Sequence, residues 1–426
     1  VNILLVGGGG REHALAWKLS QSAQITRLVV TPGNAAITTL PKTTCSSADP
    51  NELAATERFD LAVIGPEAPL AAGLADRLRA LGIPVFGPSL AAAQLETSKG
   101  FAKRRMQAWG IPTAGFEIAD TLAAARIILA DWPVEQQGVV IKADGLAAGK
   151  GVVVTRNREE AERTLTDFLA NPANTIRAES VVIEHILKGR EVSAFALCDG
   201  HDFRMLGYAC DYKRLGDGDT GPNTGGMGGY APLGWPSPAV KQATETIVQQ
   251  VLDGMRAAGM PFVGTLFIGL MVDGDDAHVL EFNTRFGDPE TQTLLPLMQN
   301  DLVPLLLSAA NGALAASTDE WSLREGTAVH VVMASGGYPA IDGSPMVLEQ
   351  SIAFGDPALI GNSAPNGPWV FIAGARQNDA NWINTGGRVL GVTALGATVE
   401  EARTHAYQTL AGIHFTDAQW RHDIGR

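Results

Sequence analysis

The 426-residue sequence is poor in cysteine. Its three, Cys45, Cys198 and Cys210, are scattered and odd in number. That pattern argues against a disulfide framework and against a zinc site. The eight histidines form no HxH or HxxxH pair. No apolar run reaches the roughly 20 residues that a membrane-spanning helix needs. The opening VNILLV reads as a strand rather than a signal peptide. An excess of positive charge is also missing. Lys and Arg number 32 against 45 Asp and Glu, a formal net charge of −13, which argues against a general nucleic-acid binder. A local basic pocket for phosphate is compatible with that balance. The expectation is a cytoplasmic enzyme or binding protein with small-molecule partners, using neither nucleic acid nor membrane. With 46% hydrophobic and 18% charged residues, the chain can bury cores and divide into two to four packed units.

Familiar nucleotide motifs are absent too. Strand 1–6 runs into Gly7–Gly10 and then a helix-like REHALAWKLSQS, an arrangement that cradles phosphate on glycine backbone and helix N–H groups. The dinucleotide fingerprint GxGxxG nevertheless fails, because Glu12 and His13 stand where its last glycine would fall. The next strand, TRLVVTPGN, ends without the acidic residue that would hold a ribose. Strands near 60–64 and 83–86 with a helix near 70–81 extend a βαβ rhythm, which predicts a doubly wound parallel sheet. Ligands to such sheets sit beyond the strand carboxyl ends. There the loops GGGGRE, TPGNA, GPEAPL and GPS place Arg11, Glu12 and Glu67.

Residues 139–155, VVIKADGLAAGKGVVVT, read as two strands around a loop of Gly and Ala. It is not a P-loop: Gly145 and Gly149 are too close, Gly151 replaces the hydroxyl residue, and a strand follows. It reads as a mobile hairpin whose amides, Lys142 and Lys150 could close over phosphates. Lys142 interrupts a buried-looking strand, where an unpaired ammonium is costly. Residues 181–191 form an apolar strand bracketed by Glu184 and Glu191, suited to an adenine edge and ribose hydroxyls. Residues 211–230 read as the longest irregular stretch, with seven glycines among charged residues. Such loops are usually functional or disordered, and its place between a strand and a helix favours a docked substrate loop.

The remaining segment is AHVLEFNTRFGDPETQT, 277–293. On a strand, Glu281 and Asn283 share one face and Leu280 and Phe282 the other. Two oxygen donors side by side suit Mg²⁺ with nucleotide phosphates. Arg285 follows on the same side, and Gly287, Asp288 and Pro289 turn the chain. The preceding DGDD is no calcium loop, since Ala277 and Thr284 occupy ligand positions. No Ser–His–Asp or Cys–His nucleophile signature appears, whereas lysines, an arginine and oxygen donors suit charge stabilisation on a transferring phosphoryl group. The last hundred residues read as packing elements.

GGGGREHALAWKL, TPGNA, GPEAPL, LETSK, VIKADGLAAGKGV, DYKRLGDGDTGPNTGGMG, EFNTRFGDPETQ, NTGGRVLGVTALG and RHDIG, in this order, resemble the ATP-grasp ligases, and most closely their glycinamide ribonucleotide synthetase family. The resemblance spans essentially the whole chain. It implies an α/β fold in three domains. These are a doubly wound parallel sheet domain (1–102), an ATP-grasp domain (103–325) with a small lid (about 115–188), and a mixed α+β C-terminal domain (326–426). It implies ATP as co-substrate, Mg²⁺ or Mn²⁺, glycine and 5-phosphoribosylamine as substrates, and a monomer or weak oligomer. Lys99, Lys142, Gly145, Lys150, Gly151, Glu184, Leu187 and Glu191 would bind ATP. Glu281 and Asn283 would bind the metal. Gly10, Arg11, Glu12, Glu67, Pro69, Asn223, Thr224, Gly225, Gly226, Met227, Gly287, Asp288, Pro289 and Glu290 would hold the substrates. Arg285, Lys213 and Asp211 would act in catalysis. Tyr212 departs from the pattern, standing where many members carry His, so no substrate contact is expected of that ring.

Overall fold

The first apolar run becomes the central strand of a parallel sheet. In the computed structural model, which describes residues 1–426 except 148–150, 173, 175, 177, 318–320, 341–342, 361–365 and 380, Asn2–Gly7 pairs with Arg27–Pro32 on one side and Leu61–Ile64 on the other. Thr43–Cys45 and Val85–Phe86 complete five parallel strands. Ile3, Leu4 and Leu5 have no exposed surface, as a strand covered on both faces requires. The helix expected near 70–81 is two short helices, Glu67–Ala71 and Leu74–Ala80, parted at Gly73 with its φ of 74°.

Helix Gly10–Ser20 is buried along its entire length. A helix covering one sheet would keep a polar stripe in water; this one is covered from behind as well. Trp17 meets Trp369 edge-on at 5.2 Å, and the Lys18 ammonium donates to the Met298 carbonyl at 2.7 Å. The glycine-loop helix is therefore a wedge between the first domain and the rest of the chain.

Two imidazoles lie in that junction. His13, fully buried, accepts a hydrogen bond at Nδ1 from the Ile372 N–H at 2.8 Å. His330, 1% exposed, sits with its Nδ1 2.7 Å from the Thr393 hydroxyl. Burial pushes both imidazoles down to about 3. The unfolded chain holds them near 6.5, so below that pH it binds protons that the folded chain refuses. Their contribution to stability is intact above about pH 6.5 and is lost as the pH falls toward 3. We expect His330→Gln to flatten the fall of unfolding free energy between pH 6.5 and 4.5, by up to about 1.4 kcal/mol per pH unit. Urea titrations of the two proteins across that range check this, and parallel curves would contradict it.

The lid is a four-stranded antiparallel sheet in the order Phe116–Ala119, Val181–Glu184, Val139–Ala143, Val152–Thr155. Leu129, Ile141, Leu165 and Ile183, all fully buried, fill the space between this sheet and helices Leu122–Asp131 and Arg158–Leu169. The hairpin expected at 139–155 is its two-stranded edge.

The body is an eight-stranded sheet. Asp276–Asn283, Val263–Asp273, Arg190–Asp199, Phe203–Asp211 and Gly228–Ala231 continue into Thr327–Ala334, Arg388–Gly396 and Trp369–Ile372. The sheet therefore runs through position 326. Helix Val399–Leu410 buries Ala402, Ala406 and Leu410 against its far end.

Two local readings change. Along Asp276–Asn283, Gly269 pairs with Glu281 but Leu270 pairs with Val279, so Leu280 is an extra residue. This bulge breaks strict alternation. Val279 and Phe282 point into the core, while Leu280 leaves it for the ligand-facing side. The irregular stretch 211–230 is instead a small hairpin, Arg214–Gly216 with Thr220–Asn223, followed by a strand of the main sheet. Gly228 lies directly against the His330 carbonyl, where a Cβ would not fit.

Candidate active site

A cleft opens between the lid hairpin and the bulged strand. Its lining mixes apolar Leu95, Ala102, Met106 and Val152 with polar Glu96, Lys99, Lys103, Lys142, Glu281, Asn283 and Arg285. Gly145, Leu146, Ala147 and Gly151 roof it from the lid. The expected Lys150 lies outside the described residues. The Lys99 ammonium reaches the Gly145 carbonyl at 2.9 Å and so ties helix Lys99–Trp109 to that roof. Burial lowers the Lys99 ammonium against the pull of Glu281.

Glu184 faces inward, between two lysines, rather than toward open space. Its carboxylate lies 2.5 Å from both the Lys103 and Lys142 ammonium groups. Lys142 also donates to the Leu280 carbonyl at 3.1 Å, which the bulge presents. This trio resolves the cost of a lysine inside a lid strand, because each buried charge has a partner. Leu187 sits on the half-buried crossing between lid and body and does not line this cleft. Glu191, at the head of its body strand, pairs with Lys213 at 3.3 Å.

Glu281 is the negative centre of the cleft. Burial pushes its carboxyl up, but Lys213, Lys142, Lys99 and Arg285 together hold it below the usual range. A deprotonated carboxylate beside the Asn283 amide is a hard-oxygen pair, which fits a divalent cation whose other positions come from phosphates. Among the described residues no cluster of three or more His, Cys, Asp or Glu could hold a metal by itself. The donor set therefore fits an ion shared with a nucleotide.

Arg285 is held between two carboxylates, with Nε 2.9 Å from Glu67 and 3.1 Å from Glu96. Glu96 fixes the chain here as well, accepting from the Thr284 N–H at 2.8 Å and its hydroxyl at 3.0 Å. Arg11 reaches the Phe286 carbonyl at 3.2 Å, and its Nε donates to Glu12 at 2.6 Å. The other Glu12 oxygen accepts from the Gly9 N–H at 2.7 Å, so Glu12 closes its own loop. Gly10 packs on Gln292, and Pro69 follows Glu67 in the short helix Glu67–Ala71. The first domain thus meets the 285–292 segment through charged groups.

Next to Arg285 stands a group of carboxylates. Withdrawal from water pushes the Asp211 carboxyl up to about 6 against the pull of Lys213, and Glu191 adds to the push. Burial and the charge of Asp211 push Glu290 up to about 7. Ser193 donates to Glu290 at 3.3 Å, and Gly287 leaves room for the Glu290 carboxylate. Asp288 accepts from the Gln292 amide at 2.8 Å and pairs with Arg388 at 3.1 Å. Arg388 also donates to the carbonyls of Asp288 at 2.9 Å, Gly225 at 2.5 Å and Gly226 at 3.3 Å. Gly226, with a φ of 110°, lies flat on Pro289. Thr224 donates its hydroxyl to the Lys213 carbonyl at 2.8 Å, Met227 is fully buried, and Asn223 ends the small hairpin beside them.

Tyr212 points away from all of this. Its hydroxyl accepts from the Gly425 N–H at 3.0 Å. Sequence reasoning assigned no role to Glu96, Lys103 or Arg388. Glu96 and Arg388 stand inside LETSK and NTGGR, motifs quoted above for their resemblance alone. Lys103 lies in a basic run on a helix, KGFAKRR, a pattern that reads as a solvated face.

Residues 1–96, 97–291 and 328–426 match the N domain, the ATP-grasp (A) domain and the C domain of phosphoribosylglycinamide synthetase. The phosphoribosylamine–glycine ligase of Chlorobaculum tepidum is 42% identical over 433 residues, covering 100% of this chain and 99% of that one. The trifunctional purine biosynthetic protein adenosine-3 of Gallus gallus is 42% identical over 432 residues, which cover 99% of this chain and 42% of that protein. The crystal structure of phosphoribosylamine–glycine ligase from Thermotoga maritima superposes with a TM-score of 0.85 at 34% identity, covering 100% of both chains. The biotin carboxylase domain of Hydrogenobacter thermophilus 2-oxoglutarate carboxylase, 16% identical over 98% of this chain and 91% of that one, shares the fold with a TM-score of 0.73. On three matched domains and full-length relatives above 40% identity, the chain belongs to the phosphoribosylglycinamide synthetase family of ATP-grasp ligases.

Proposed function

We propose that this chain joins glycine to 5-phosphoribosylamine at the expense of ATP, giving glycinamide ribonucleotide, ADP and phosphate. The observation that carries the reading is a cationic cleft coupled to a cluster of carboxylates. The lysine-lined cleft under the lid carries Glu281, Asn283 and Arg285, and the carboxylates of Asp211, Glu290 and Asp288 couple electrostatically to Glu281 and Arg285. The cationic cleft suits nucleotide phosphates, and the carboxylates suit substrate amines.

Lys99, Lys142 and the lid amides at Gly145 and Gly151 receive the ATP phosphates, with Glu191 at the sugar. Lys103 and Glu184 hold Lys142 in place. Mg²⁺ or Mn²⁺ on Glu281 and Asn283 would neutralise charge on the phosphates when bound. A glycine carboxylate oxygen attacks the γ-phosphorus, and the bond to the ADP oxygen breaks. Arg285 and Lys213 offset the charge that builds on the transferring group. The amine of phosphoribosylamine then attacks the acyl carbon of glycyl phosphate. Phosphate leaves, and the amine proton passes to a nearby carboxylate, with Asp211 placed to receive it. The lid roof excludes water, which would otherwise hydrolyse the acyl phosphate. Arg11, Glu12, Glu67 and Pro69 on one side and Asn223–Met227 with Gly287–Glu290 on the other enclose the substrates. A cytoplasmic enzyme, a monomer or weak oligomer acting without membrane, completes the reading, and the acidic net charge speaks against a general nucleic-acid partner.

ADP release with Mg²⁺-ATP tests this reading, with phosphoribosylamine formed in situ from ribose 5-phosphate and ammonia. Release that needs both glycine and phosphoribosylamine is the expected result. Release with a different carboxylate would move the substrate but keep the chemistry, and no release from folded, ATP-binding protein would end the reading. Arg388 is the C-terminal domain's contribution to the charged cluster around Asp288. Arg388→Ala removes the clamp on Asp288 and the 225–226 carbonyls and is expected to raise KM for phosphoribosylamine about 30-fold, with KM for ATP little changed. Equal rises in both would place Arg388 outside the phosphoribosylamine site.

A further inference from the structure

The segment at 421–425, RHDIG, and the unusual Tyr212 have no part in the chemistry above, yet they meet. The Arg421 side chain is 1% exposed. Its Nε and Nη2 donate to Asp423 at 2.7 and 2.6 Å. Its Nη1 donates to Asp219 at 2.7 Å and to the Arg214 carbonyl at 3.2 Å. The guanidinium also lies 4.8 Å above the Tyr212 ring. Asp423 accepts from the Gly218 N–H at 2.8 Å. The His422 N–H donates to Asp217 at 2.7 Å. Ile424, fully buried, packs beside Gly228, and Tyr407 donates to the Arg421 carbonyl at 2.7 Å, anchoring the segment to helix Val399–Leu410.

These contacts fall at the start, the tip and the end of the loop 211–228. Its tip includes Asp219 with a φ of 54°, a left-handed turn conformation that Asp adopts more readily than most non-glycine residues. The other side of the same loop presents the Gly225 and Gly226 carbonyls to Arg388 and, through it, to Asp288. A loop with so many glycines loses much freedom on ordering. If ordering waited for the substrate, its cost would weaken substrate binding.

We propose that residues 421–425 clamp the glycine-rich loop 211–228 in its substrate-receiving form, with Arg421 as the central positioning residue. The clamp rests on the reading of that loop as part of the phosphoribosylamine site. It works before substrate arrives. Tyr212 serves it by lying under the guanidinium and accepting from Gly425, which accounts for an aromatic ring turned away from the pocket.

The test uses the full chain and three variants. Asp217 and Asp219 have exposed side chains, so the double variant D217A/D219A keeps the fold while cutting two clamp contacts. Arg421→Ala removes the centre, and Arg421→Lys keeps its charge. Amide hydrogen exchange reads the loop without any substrate. Exchange at 214–224 is expected to speed up about tenfold in D217A/D219A and in Arg421→Ala, with the lid and the parallel sheet unaffected. In steady state, KM for phosphoribosylamine should rise about tenfold in both while KM for ATP stays within twofold. Arg421→Lys should not restore it, because one ammonium cannot span Asp219, Asp423 and the Arg214 carbonyl together. Unchanged exchange in the loop would overturn the clamp, as would a loosened loop with unchanged KM or an equal rise for ATP. A wild-type activity that does not need phosphoribosylamine would refute the substrate reading instead, and the exchange data would still decide whether the segment holds the loop.

Discussion

Glu281→Gln is expected to lower kcat about 1,000-fold or more while leaving the protein folded. The amide keeps the size of the carboxylate and one acceptor oxygen, so packing between Gly269 and the cleft is retained. What disappears is the charge. Lys213, Lys142, Lys99 and Arg285 all converge on that carboxylate. Without it the strand offers a divalent ion only neutral oxygens, and the positive charge of Lys99, Lys142, Lys213 and Arg285 facing that position is no longer offset there. The Mg²⁺ concentration needed for half-maximal ADP release should rise along with the loss of rate. Thermal unfolding separates this from collapse of the fold. A folded variant with wild-type turnover and metal dependence would remove Glu281 from the metal site.

Arg285→Lys should cost about 100- to 1,000-fold in kcat with little change in KM for ATP. The substitution keeps a positive charge, so long-range attraction for nucleotide survives. It removes the planar fork. In the resting protein the Arg285 Nε lies between Glu67 and Glu96, its Nη1 donates to the Phe286 carbonyl at 3.2 Å, and Glu96 is itself pinned by the Thr284 backbone and hydroxyl. The arginine is thus aimed before ligand binds, and a lysine has neither the reach nor the second donor to keep the aim. Single-turnover measurements with ATP and glycine would locate the loss in phosphoryl transfer. A normal single-turnover rate would show that Arg285 acts elsewhere.

The parts of this site that could be read from sequence were those with local periods. The pairing of Glu281 with Asn283 follows from the two-residue repeat of a strand, and the lid hairpin follows from two β-branched runs around Gly and Ala. The bulge at Leu280 was not legible, because one inserted residue leaves the same letters in the same order. It still matters, since it delivers the Leu280 carbonyl to Lys142. Lys103 was hidden by its surroundings on a basic helix; its partner Glu184 stands 81 positions away in the lid. Arg388 meets Asp288 across 100 positions and two domains. The short strands at 214–216 and 220–223 are rich in glycine and weak in β propensity, and their support comes from Arg421, about 200 residues on.

The shared eight-stranded sheet also sets when its parts can pair as the chain is made. Gly228–Ala231 finds its second neighbour only in Thr327–Ala334, and that strand finds its own only in Arg388–Gly396. During synthesis, the ATP-grasp part waits with an open strand edge until nearly the whole chain has left the ribosome. The strand pairing of the first domain has no such debt, since all five of its strands lie within the first 86 residues. A nascent chain stopped near residue 325 therefore carries a fully paired parallel sheet, a helix whose Trp17 still lacks Trp369, and one sticky edge, a species prone to pair with its own copies.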